Sequence, residues 1–108
     1  MAEYTLSEVF GANATQTATD LVIKKADFPG LTADAANTGE SLLVALLLHW
    51  LTTLTETARI ADEANRQIAV TSAGVDIYQG PTRDYLRHSV AVILYNPWTI
   101  PTIDPDDY

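Results

Sequence analysis

The chain has 108 residues, 47% of them apolar, with 14 acidic side chains against 6 basic ones, a net charge of −8 and no cysteine. That length suits one domain able to bury about two-thirds of the surface its unfolded form exposes. Disulfide scaffolds, thiolate zinc sites and cysteine nucleophiles are excluded, the apolar fraction excludes a disordered acidic tail protein, and a body at −8 repels the phosphate backbone of a nucleic acid.

Tyr4 to Ala18 is rich in Thr, Ala, Asn and Gly, with a small apolar cluster at Leu6, Val9 and Phe10, and reads as a short edge element followed by a loop. Asn13-Ala14-Thr15 matches a glycosylation sequon, but the leading residues lack the early positive charge and apolar run of a secretory signal, so the match is read as accidental. Thr19 to Lys25 alternates, with Leu21 and Ile23 opposite Asp20, Val22 and Lys24, which is the period of a strand. Asp27-Phe28-Pro29-Gly30 ends it, because proline fixes its φ and lacks a donor.

A helix is predicted from Asn37 or Thr38, either of which can cap the first turn, with Glu40 three residues after Asn37 as in a capping box. Leucine, alanine and the absence of interior Gly or Pro carry it to Ala58, and in its longest form to Asn65. Gln67 to Thr71 is a strand by alternation. Ser72-Ala73-Gly74 interrupts it as a bulge or a tight turn, and Val75 to Tyr78 resumes. Gln79-Gly80-Pro81-Thr82 is a turn. The longest strand follows, Asp84 to Tyr95, with Leu86, His88, Val90, Val92 and Leu94 on the face expected to look inward. Three prolines among the last thirteen residues make 97–108 an extended arm.

These elements predict an α+β domain over 1–96, one central apolar helix packed on a small antiparallel sheet in the order β-β-α-β-β, with the acidic arm beyond it. The helix is apolar nearly all round. Leu43, Leu47, Trp50 and Leu54 form one stripe, Val44, Leu48 and Leu51 a second, and Leu42, Leu46 and His49 a third. Each large side chain is worth about 1.5–3 kcal/mol when removed from water, and one sheet covers only one side of a helix. Either the N-terminal segment or a neighbouring subunit must cover the other side. The arm adds Trp98 and Ile100, stiffened by proline for docking or folded back on the domain, and then Asp104, Asp106, Asp107 and Tyr108. The candidate partner-binding residues are therefore Leu43, Leu47, Trp50, Leu54, Trp98, Ile100, Asp104, Asp106, Asp107 and Tyr108.

Catalytic chemistry does not converge anywhere in the chain. There is no phosphate loop, HExxH, GxSxG or EF-hand spacing. His49 and His88 read as core-side histidines rather than metal ligands, and Tyr85 with Arg87 as a solvent-facing pair or a plain sheet face. No cofactor and no metal is expected. The longest apolar run, Leu42 to Leu51, is ten residues, against about 20 for a membrane span.

Tyr4 to Thr15 leading to Asp20-Leu21-Val22-Ile23, Glu40-Ser41-Leu42-Leu43 opening a helix, the strand Arg83 to Tyr95 and the close Thr102 to Tyr108 together resemble small uncharacterised proteins of cyanobacterial and cyanophage origin. The resemblance implies a virion component, such as a capsid decoration protein or a tail or neck adaptor, and supplies no catalytic residue. The expectation is a non-enzymatic assembly protein that forms a homo-oligomer and docks on other virion proteins, without nucleic acid or membrane. Its location is then the virion if phage-encoded and the cytoplasm otherwise. The alternative is a small ligand-binding or regulatory module with a pocket between helix and sheet.

Overall fold

The structure is a computed structural model that describes residues 3–96 and 102–108. Where the sequence suggested an edge element, Leu6–Phe10 forms a short helix, α1. The cause is a capping box: the Thr5 hydroxyl accepts from the Glu8 N–H at 3.2 Å, and the Glu8 carboxylate accepts from the Thr5 N–H at 3.0 Å. Gly11 ends α1 at φ +105°, and a Cβ there would lie 2.8 Å from that of Asp27. The Asp27 carboxylate then clasps the following loop, accepting from the Asn13 N–H at 2.8 Å and the Asn13 side-chain amide at 2.7 Å.

The first sheet is small. β1 (Thr15–Gln16) pairs antiparallel with β2 (Leu21–Val22), Thr15 opposite Val22. The expected strand over 19–25 is cut short because the Thr17 hydroxyl accepts from the Asp20 N–H at 3.0 Å and because Lys25–Asp27 coils into a 3-10 turn.

The main helix, α2, spans Gly39–Thr53, and Thr38 is its cap, accepting from the Ser41 N–H at 3.1 Å. Asn37 instead closes the preceding loop through Asp34 and Thr32. The helix stops earlier than predicted. The Thr52 and Thr53 hydroxyls both donate to the His49 carbonyl, Leu54 leaves the helical region at ψ 48°, and Thr55 caps a separate helix, α3, over Glu56–Ile60.

Strands β3 (Ile68–Gln79) and β4 (Asp84–Leu94) form a long antiparallel hairpin, joined by a turn in which the Gly80 N–H donates to the Arg83 carbonyl at 3.0 Å. Gly74, at φ +108°, makes the interruption a bulge inside one strand rather than a turn. The fold is thus α+β with one main helix and two small antiparallel sheets.

Among the described residues the buried apolar side chains are few: Phe28, Leu54, Ala69 and Val70. The hairpin joins the helices at its base, where the Val70 N–H donates to the Leu54 carbonyl at 2.7 Å and the Tyr95 hydroxyl donates to Glu56 at 3.0 Å. Beyond the base, Ser72–Gln79 and Asp84–His88 are exposed. The end of the chain turns back toward the body. Asp104 caps a 3-10 turn over Pro105–Asp107, and half-buried Tyr108 lines a small cavity with Tyr4, Arg66 and Ile68.

Candidate interaction surface

Direct cross-strand partners share a sheet face, so the register assigns every hairpin side chain. The rows Ile68/Leu94, Val70/Val92, Ser72/Val90, Val75/His88, Ile77/Leu86 and, at the tip, Gln79/Asp84 lie on one face; the first five rows carry no Asp, Glu, Lys or Arg, and Asp84 supplies the charge at the tip. This is the face expected to look inward. It does so only at Val70. Ile77 is 72% exposed, Leu86 64% and Val75 56%, and Val90, Val92 and Leu94 are exposed as well. His88 is correspondingly a surface residue and not a core-side histidine, because among the described residues no element of its own chain covers this part of the sheet.

Toward the tip, the opposite face is polar and internally paired. Arg87 binds Asp76 through two bonds of 2.9 and 2.6 Å, which hold the Asp76 carboxyl below its usual range. The Arg87 guanidinium also lies 5.5 Å from the Tyr78 ring, Tyr78 and Tyr85 rings are 6.3 Å apart, and Arg83 lies 5.1 Å over Tyr85. Arg87 therefore pairs with Asp76 and Tyr78, and the partner of Tyr85 is Arg83.

A second apolar surface lies on α2. Leu43, Val44 and Leu48 are each more than half exposed. Beside them, an open groove of about 530 Å³ runs between α2 and residues 28–31, walled by Phe28, Leu31, Val44, Ala45 and Leu48, with Glu40, Ser41 and Thr52 at its rim. It is flanked by the 28–31 loop, not by the sheet. His49 stands at its floor with Nε2 at 3.0 Å from the Glu8 carbonyl and its ring edge-on to Phe28 at 5.4 Å, the satisfied structural histidine that the sequence suggested.

The stripe proposed from helical spacing divides. Leu43 is exposed, Leu47 is half-buried, Trp50 is half-buried with its indole N–H donating to the Val9 carbonyl at 2.7 Å, and Leu54 is 2% exposed. Leu54 is accordingly a core residue and not a partner contact, because the helix ends there and its side chain turns under the hairpin base. Trp50 holds α1. Val44, Leu48, Val75 and Ile77, which were not among the candidates, are available instead. Asp104, Asp106 and Asp107 are exposed, Tyr108 is half-buried, and Trp98 and Ile100 lie outside the described residues.

At the junction of α3 with β4, Glu56 accepts from Arg59 at 2.7 and 3.2 Å and from the Tyr95 hydroxyl, while the Arg59 guanidinium stacks 3.8 Å over the Tyr95 ring. The Arg59 bonds, aided by Tyr95, hold the Glu56 carboxyl below its usual range. Arg66 is buried, donating to the Ala58 carbonyl and lying 4.8 Å from the Tyr4 ring. Among the described residues no cluster of three metal-ligating side chains occurs, and no helix is long and apolar enough to cross a membrane.

No family model, no curated protein and no solved structure matches the chain.

Proposed function

We propose that the chain is a non-enzymatic structural subunit that associates with itself and with larger partners, in the manner of a capsid decoration protein or a tail or neck adaptor of a phage particle. One observation carries the reading: the chain is more open than a compact monomer of its size. Its accessible surface is 7917 Å², about 2,000 Å² more than the roughly 5,900 Å² expected of a folded protein of 11.8 kDa. Its radius of gyration is 16.3 Å, against about 13 Å for a compact chain of this length. Obligate interfaces bury about 1,000–2,500 Å² per partner, so the surplus is of the size an assembly removes. Light scattering on the purified chain tests the reading. A mass that is a multiple of 11.8 kDa supports it, and a single-chain mass at all concentrations overturns it. Binding to empty capsids or tails, against none for an unrelated acidic protein, tests the virion assignment.

The groove beside α2 favours a second reading, a small ligand-binding module. Its volume of about 530 Å³ falls within the usual range for small-molecule sites, about 300–1,000 Å³. An apolar compound that raises the melting temperature of the chain, and loses that effect on Val44→Asp, would support this reading over the first.

A further inference from the structure

Two apolar faces stand open in the same chain, and neither covers the other. One is the apolar hairpin face around Ile77, Leu86 and Val75; the other is the α2 face around Val44 and Leu48, with the groove beside it. We propose that the hairpin of one copy packs its apolar face onto α2 of a second copy, and that the second copy does the same in return. This rests on the assembly reading and names the partner and the geometry of that surface.

Three features single out a second copy as the occupant. The surplus surface of about 2,000 Å² is the share one chain contributes to an obligate dimer, and stacking two hairpin faces on each other would leave Val44 and Leu48 in water. Both faces also carry little of the net charge of −8. The five hairpin rows from Ile68/Leu94 to Ile77/Leu86 contain no formally charged residue, and the run Leu42 to Leu51 contains none, so the acidic groups nearest the contact are Asp84 at the hairpin tip and Glu40 in the groove lining. The surfaces match in chemistry as well: the exposed Ile77/Leu86 row is apolar, and the open groove along α2, about 530 Å³, is lined by Phe28, Leu31, Val44, Ala45 and Leu48. A two-fold arrangement closes on itself, giving a dimer and no filament.

The absence of cysteine makes the test clean. Val44→Cys and Leu86→Cys chains are co-expressed and oxidised; both positions are more than half exposed, and circular dichroism of each variant checks its fold. The expected product is a 44–86 disulfide between two chains, with several-fold less 44–44 or 86–86. Predominant 86–86 product in a dimer of correct mass overturns the reciprocal packing while leaving the assembly reading in place. A double Val44→Cys/Leu86→Cys chain that oxidises within one monomer overturns it too, by showing that the hairpin folds onto its own helix. A monomeric mass for the unmodified chain removes the assembly reading itself.

Discussion

The Val70 N–H donates to the Leu54 carbonyl at 2.7 Å, and both side chains are only 2% exposed. This bond satisfies a carbonyl left without a partner where α2 ends, and it fixes the base of the hairpin against the helix end. Leu54→Ala leaves a cavity where few other buried side chains support the fold. It is expected to cost about 2–5 kcal/mol, measured by urea unfolding under conditions that hold the oligomeric state constant. A loss under about 1 kcal/mol, within the range of ordinary surface changes, would show that the base is not the core.

Gly74 occupies a positive φ that side chains rarely adopt, with open space where a Cβ would sit. Gly74→Ala is therefore strained through the backbone alone, by about 1–3 kcal/mol, whereas Gly30→Ala, with open space and no positive φ, is expected to be neutral. Comparing the two by urea unfolding isolates backbone strain, since neither added Cβ meets a neighbour.

The ties of Glu56 to Arg59 and Tyr95 depend on an ionised carboxylate whose folded pKa is depressed. Its contribution is fully present above the unfolded value, about 4.3, and is lost as pH falls through the lower folded value. The gap in urea midpoint between the native chain and Glu56→Gln should be constant near neutrality and close below about pH 4. A gap that persists unchanged in acid would mean that the contact is not ionic.

Much of the architecture was legible because it rests on local chemistry. Gly80-Pro81 marks the hairpin turn, the alternation of Asp84 to Tyr95 marks its strand, and the Asn37-Thr38 pair marks the helix start, of which Thr38 is the cap. The Thr5-to-Glu8 capping box was equally present in the sequence and passed over, since a five-residue helix has almost no periodicity to notice. The break at Leu54 depends on threonine hydroxyls bonding to a carbonyl, which helix propensity does not reveal. The larger error concerned direction. Alternation correctly grouped Leu86, His88, Val90, Val92 and Leu94 on one face, but it cannot say whether another element of the fold covers that face. The inward reading of His88 failed on that point, and the outward reading of Leu54 failed because the helix ends there.

Hydrogen exchange along the hairpin, followed as protein concentration rises, tests the central claim most directly. A two-stranded ribbon with a free apolar face is marginal in water, so the amides of Ser72–Gln79 and Asp84–Val90 should exchange fast in dilute solution and become protected as chains associate. Protection that is equally weak at every concentration would contradict an assembly built on this hairpin.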